Sequence, residues 1–252
     1  MCFLYGLSLK NFMKNKSAMK LNLLNVVSTE YDLDLISHFE EYYSKYDIDE
    51  WHIILHGKNK EHIKKGYEKF NKEVNFYTWE DTFLSSVKIG KFNKILSSLE
   101  GNILLADIDE FHEFDKEPKG LLENDEIIVT ILKDRFDKNF QVKKIVEDVN
   151  IFLQYPIEND FSFENFGSWN FKPALFNSKY RLLNSHQLCL GNHLVNYTNR
   201  PKINTAHFKW TDTRKNKSIE RYTQYLNASQ NGHAVNYEET QLLLKKVYNI
   251  AI

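Results

Sequence analysis

From Leu21 onward, short apolar runs alternate with longer stretches in which apolar residues recur every three or four positions. LLNVVST (23–29), WHIILHG (51–57), VNFYTW (74–79) and NILLA (102–106) have strand length and composition. Between them, LDLISHFEEYYSKY (33–46), KNKEHIKKGYEKF (58–70) and the segment from Glu80 to Leu99 carry helical spacing. Asp32-Leu33-Asp34 opens the first of these and reads as N-terminal capping and dipole compensation. Gly57 closes the second strand, and Glu100-Gly101 stops the third helix. Strand-then-helix units repeated three times before a fourth strand predict an α/β fold with a mostly parallel central sheet flanked by helices. Parallel neighbours need crossovers of about a dozen residues or more. Such sheets bind ligands outside the carboxyl ends of their strands. That rule puts Ser28-Thr29-Glu30, His56-Gly57 and Asp107 to Glu110 on one rim.

After residue 115 the rhythm weakens. EIIVTIL (126–132) and FLQYPI (152–157) read as strands, separated by long connections rich in aromatics and asparagine, and Glu238 to Tyr248 reads as an amphipathic helix. With no internal repeat and no Pro/Gly/Ser linker, residues 21–252 are expected to form one domain behind an N-terminal extension, 1–20. The extension's apolar run is short, with no basic residue before it and no small-residue cleavage site after it, so no signal peptide is expected. Nor is a transmembrane segment expected, since no apolar stretch approaches the roughly 20 residues a spanning helix needs.

Composition adds limits rather than chemistry. A chain of 252 residues with 42% hydrophobic content is expected to be soluble, and a net charge of −1 gives no global pull toward nucleic acid or an anionic membrane. Cys2 and Cys189 form neither a disulfide framework nor a zinc pattern, which favours a reducing, cytoplasmic location. Peripheral membrane association through the apolar and lysine-rich first 20 residues is the alternative.

The chemistry concentrates in GNILLADIDEFHEF (101–114), where an apolar strand runs into Asp107-Ile108-Asp109-Glu110. In an extended chain Asp107 and Asp109 share a face while Ile108 points inward and Glu110 points away. Two carboxylates on one face repel unless a cation lies between them, and oxygen ligands with an incomplete shell suit Mg²⁺ or Mn²⁺. A solvated acidic turn is the other reading of a bare D-x-D, but the buried strand aims this one at the ligand-binding rim.

ILLADIDEF, about 80 residues after the first strand, resembles the metal-binding motif of GT-A-fold glycosyltransferases, especially family 2-like enzymes with an Asp-x-Asp-Glu-Phe motif. Later segments fit the same group: Lys133 to Phe136, Phe166-Gly167, Lys172 to Phe176, Gly191-Asn192-His193 and Ala206 to Trp210. The resemblance implies a GT-A-like domain with a nucleotide-binding half (21–115) and an irregular acceptor-binding half (116–252). It implies transfer of a sugar from a nucleotide-sugar donor to a glycan or other hydroxyl acceptor, in surface polysaccharide or glycan synthesis. Asp107 and Asp109 would hold the Mn²⁺ or Mg²⁺, with His207 completing the shell and His193 competing for that role or touching acceptor. In KWTDTRKNKSIER, Lys209 and Arg214 are the leading candidates to clamp the diphosphate, among Lys215, Lys217 and Arg221. Ser28, Thr29, Glu30, Lys91 and Asn93 would contact the nucleotide. Trp169, Phe171, Tyr180, Tyr197 and Trp210 are candidates for stacking on sugar. Asp134 is the candidate base, with Arg135 as its charge partner, ahead of Asp160, Glu164 and Asp212, and Glu110 would orient a neighbour or touch acceptor. Two other functions compete: a non-catalytic carbohydrate-binding protein, and a metal-dependent phosphohydrolase.

Overall fold

A computed structural model of the chain describes residues 19–122, 127–161, 164, 171–230, 241 and 245. Its first half follows the apolar pattern closely: β1 (Leu21–Ser28), a 3₁₀ turn (Leu33–Leu35) leading into α1 (Ile36–Tyr43), β2 (Glu50–Gly57), α2 (Lys60–Lys69), β3 (Asn75–Glu80), α3 (Ser85–Leu96) and β4 (Asn102–Leu105). All eight residues of β1 are buried, as a strand covered on both faces requires. Leu21, Leu23 and Val27 pack under α1 and α2 with Phe39, Tyr43 and Ile63, while Leu24 and Val26 pack on the other face with Ile89, Phe92 and Ile95 of α3. Asn59 starts α2 by accepting the His62 amide at 3.0 Å.

The second half supplies β5 (Glu110–Glu113), β6 (Ile128–Phe136), α4 (Ile151–Gln154), β7 (Ile157–Asn159), β8 (Phe171–Asn177), β9 (Arg181–Asn184), β10 (Gln187–Leu190), β11 (His193–Leu194), β12 (Lys202–His207) and α5 (Asp212–Gln230). Among the described residues nine strands join one sheet in the order β3-β2-β1-β4-β8-β6-β12-β5, with β7 on β6, and β9 to β11 form a separate small sheet. β3, β2, β1 and β4 run parallel, but β8 enters antiparallel to both β4 and β6. β12 then runs parallel to β6 and antiparallel to β5. The sheet is therefore mixed, with its parallel part confined mainly to the first half. The architecture is the expected α/β one, a single large sheet flanked by helices.

Three local expectations change. FLQYPI is not one strand: Asn150 accepts the Phe152 amide at 2.9 Å and starts α4, and only after Pro156 does the chain extend into β7. Asp32 makes no side-chain capping bond to the turn it precedes. Asp134 lies inside β6, which runs on to Phe136, rather than after the strand's end. Phe166-Gly167, Trp169 and the first 18 residues lie outside the described residues, as does the expected helix from 238 to 248 apart from residues 241 and 245.

Candidate functional site

Two buried asparagines of β1 hold β4 at its entry and its exit. Asn22 donates to the Glu100 carbonyl at 2.9 Å ahead of the strand, and Asn25 donates to the Ala106 carbonyl at 2.7 Å, fixing the chain one residue before Asp107. There the backbone turns instead of staying extended, and the Glu110 amide donates to the Asp107 carbonyl at 2.9 Å. Strand alternation consequently does not apply to Glu110. Its side chain folds back to accept the Asp107 amide at 3.2 Å and shares the cavity with both aspartates.

Each acid of this turn meets fixed cations. Lys88 of α3 reaches Asp107 at 2.6 Å, and Lys172 of β8 bridges Asp107 at 2.9 Å and Glu110 at 2.5 Å. Burial alone would raise the Asp107 carboxyl, but Lys172 and Lys88 hold it far below the usual carboxylate range. Asp109 is likewise buried, and Arg214 together with His207 outweighs the cost of desolvation.

β12 delivers His207 opposite Asp134 on β6 and opposite Glu110 on β5. The His207 ring places Nδ1 3.0 Å from Asp134 and Nε2 3.4 Å from Asp109. Burial would lower its pKa, yet the two carboxylates raise it to about 9. Arg135, the expected partner of Asp134, points to the other side and pairs with Glu113 and Glu158 at 3.2 and 2.7 Å. Alternation along the strand separates the two neighbours.

The turn of β1 contributes an acid that capping logic conceals. Asp32 accepts the Ser28 amide at 3.0 Å and is met from α5 by Arg214 at 3.2 Å and Lys217 at 2.9 Å. Arg214 also lies 3.2 Å from Asp109, so one guanidinium links the β1 turn to the β4 turn.

These groups line a cavity of about 260 Å³ in which five carboxylates, from Asp32, Asp107, Asp109, Glu110 and Asp134, face six lysine or arginine side chains. Lys209 and Arg221 complete the basic set with Lys88, Lys172, Arg214 and Lys217. A second cavity of about 400 Å³ lies over the ends of β1 and β2 and shares Ser28, Phe83, Lys217 and Arg221 with the first.

Other expected residues have different occupations. Glu30 lines the second cavity while accepting from His62 at 2.8 Å, and Thr29 donates its hydroxyl to the His56 carbonyl at 3.0 Å. Asn93 exchanges two hydrogen bonds with the Leu182 backbone, and the Lys91 ammonium lies 5.8 Å from the Trp79 ring; neither residue lines either cavity. His193 is exposed on the small sheet. Trp210 is fully buried and stacks on Phe136, Tyr180 is buried, and the Tyr197 hydroxyl accepts the Leu188 amide at 2.7 Å. The aromatic ring that does line both cavities is Phe83. Asp160 pairs with Lys133 at 2.9 Å, away from the site. Lys88 was legible in principle, standing four residues before Phe92 on the inward stripe of α3.

A divalent cation finds a partial fit. Asp107 keeps 26% of its side chain open and Asp109 lies beside it, so the pair offers carboxylate oxygens. His207, holding a carboxylate at each ring nitrogen, has no lone pair to offer in this arrangement. Among the described residues no three His, Cys, Asp or Glu side chains are grouped to hold an ion. No helix among them is long and apolar enough to cross a membrane.

Comparison with models of protein families and with curated proteins gives no match. Solved structures give distant likenesses. TarS 1–349 of S. aureus, in complex with UDP-GlcNAc, is 10% identical, covers 90% of this chain and 71% of its own, and has a TM-score of 0.40. HddC from Yersinia pseudotuberculosis is 11% identical over 80% of this chain and 99% of its own, at 0.37. A putative glucose-1-phosphate thymidylyltransferase from Bacillus anthracis is 14% identical over 64% of this chain and 72% of its own, at 0.35. What the site can do follows from its own residues.

Proposed function

We propose that the chain is a glycosyltransferase, moving a sugar from a nucleotide-sugar donor to a glycan or other hydroxyl acceptor. The observation that carries this reading is the charge arrangement of the first cavity, where six cationic side chains face five carboxylates beside a second cavity that shares Ser28, Phe83, Lys217 and Arg221 with it. A diphosphate is the ligand group whose charge and size use that basic set. Arg214, Lys217, Arg221 and Lys209 would hold it, and their fixed charge would stabilise the negative charge that grows on the diphosphate as the bond to the sugar breaks. The second cavity offers Ser28, Glu30 and Asp81 as hydrogen-bonding groups near the Phe83 ring, which suits a nucleoside.

Asp134, on the cavity wall beside His207, is the proposed base for the acceptor hydroxyl. Glu110 is assigned to holding the Asp107 turn, because its carboxylate is occupied by Lys172 and by the Asp107 amide. Mn²⁺ or Mg²⁺, when bound, would be held by Asp107 and Asp109 and would neutralise part of the diphosphate charge.

The test is thermal stabilisation by a panel of nucleotide sugars, with Mn²⁺ and with a chelator, followed by assay of nucleoside diphosphate release with saccharide acceptors. One nucleotide class should stabilise the protein, and Asp109→Ala should abolish the effect. Stabilisation by free sugar alone, or hydrolysis of phosphate esters with no response to nucleotide sugars, would sink the reading.

A further inference from the structure

α5 is attached to the body in an unusual way. Its described side chains are at most partly buried, although it runs for 19 residues and lines the cavity through Arg214, Lys217 and Arg221. Its apolar anchorage includes Tyr222, half-buried against Phe136 and Trp210. Polar contacts join it to the body: Arg214 to Asp32 and Asp109, Lys217 to Asp32, Thr213 to Asp34 at 3.2 Å, and Glu220 to Lys58 at 2.6 Å. Arg221 adds a cation over the Phe83 ring at 4.9 Å. A helix seated by apolar burial is indifferent to a small anion, but one seated through ion pairs can exchange its partners.

The pairs at the centre are imperfect. Arg214 approaches both carboxylates at 3.2 Å, yet its buried Nε and Nη2 lack an aligned hydrogen bond. A guanidinium gains most from two parallel bonds to one planar or tetrahedral anion, and Asp32 and Asp109 divide it between them instead. A phosphate group could supply the alignment that neither aspartate gives.

We propose that α5 is a charge-held lid over the cavity, latched by Arg214 and Lys217 on Asp32 and Asp109, and that a diphosphate-class anion takes over the latch by replacing those carboxylates as the partner of both cations. This deepens the function proposed above and rests on its assignment of a diphosphate to Arg214 and Lys217. The lid would then respond to ligand through exchange of ionic partners, with the body of the sheet unchanged.

Amide hydrogen exchange of the full chain, read by mass spectrometry for peptides of α5 and of β1 and β4, tests it. In Asp32→Asn, which weakens the charge-assisted contacts of both Arg214 and Lys217, exchange within α5 should rise about tenfold or more, while β1 and β4 stay protected. Lys58→Met, at the exposed outer pair, should raise α5 exchange more modestly and covers the case in which Asp32→Asn does not fold. Millimolar inorganic pyrophosphate should return α5 protection in Asp32→Asn toward the unsubstituted level. If both variants leave α5 exchange unchanged with the sheet intact, α5 is not latched by charge. If Asp32→Asn loosens α5 and pyrophosphate does nothing, the exchange of partners is wrong. The stabilisation panel reads nucleotide-sugar binding separately, so a failure of the latch and a failure of the proposed function are distinguishable.

Discussion

Lys172 concentrates the residue-scale energetics. It is buried, rises well above the usual lysine range under Asp107 and Glu110, and joins the two acids that shape the DIDE turn. Removing one partner of such a buried group strands the others without compensation, at a cost of about 3–5 kcal/mol. Lys172→Met should therefore lose that much stability in urea denaturation, and adding Glu110→Gln should recover part of it, since the two changes share one interaction. Strict additivity would mean that the pair does not interact. His207 gives a second prediction, in pH. Its folded pKa of about 9 lies above the ordinary 6.5, so its contribution to stability is complete below pH 6.5 and is lost as pH rises through 9. Lys217, held down to about 8 by burial and by Arg214, acts in the opposite sense above that pH, which leaves 6.5 to 8 as the informative window. Unfolding free energy should fall with pH across that window, and His207→Gln should flatten the slope. A slope unchanged in the variant would assign it to another group.

At the scale of elements, the strands and helices of the first half were legible because each is a local pattern. β1 and β2 are almost wholly buried runs, and α3 turns Ile89, Phe92 and Leu96 inward at helical spacing. Asp32 was not legible, because an aspartate before a helical pattern looks the same whether it caps the helix or receives Arg214 and Lys217 from more than 180 residues away. Asp107, Asp109 and His207 were identifiable as candidates, whereas Lys88 of α3 was not singled out and Lys172 of β8 was noted only within the Lys172 to Phe176 segment, with no sign of its pairing with Asp107. The join between α2 and the sheet shows how tightly the local units then lock. A Cβ on Gly66 would lie 2.7 Å from Thr29 Cγ2 and 3.0 Å from Leu55 Cδ2. Thr29 has little room to yield, its hydroxyl being tied to the His56 carbonyl. Helix propensity favours alanine there by about 1 kcal/mol, while overpacking costs about 1–3 kcal/mol. Gly66→Ala should thus destabilise the protein by up to about 2 kcal/mol in urea denaturation, where a gain would mean that α2 has slack against the sheet.

At the scale of the whole molecule, the described residues before and after position 115 share their packing. β4 is completed by β8, and β5, the last strand of the first half, is held by β12. One core cluster joins Leu23, Leu104 and Phe111 to Leu175, Ala206 and Phe208; the other joins Ile103 and Leu105 to Val129 and Phe176. Each of the larger side chains among these carries about 1.5–3 kcal/mol of burial, so cutting the chain at 115 would remove several such contributions from a fold whose net stability is only about 5–15 kcal/mol. It would also bare the β4 edge and leave Asp107, Glu110 and Asp109 without Lys172, His207 and Arg214. A fragment of residues 19–115 should accordingly show no cooperative thermal transition by circular dichroism, whereas the full chain should melt with coincident far- and near-ultraviolet transitions. A cooperative melt of the fragment would mean that the parallel strands close their own core, and the acids at their ends would then have to tolerate one another without the cations that the second half brings.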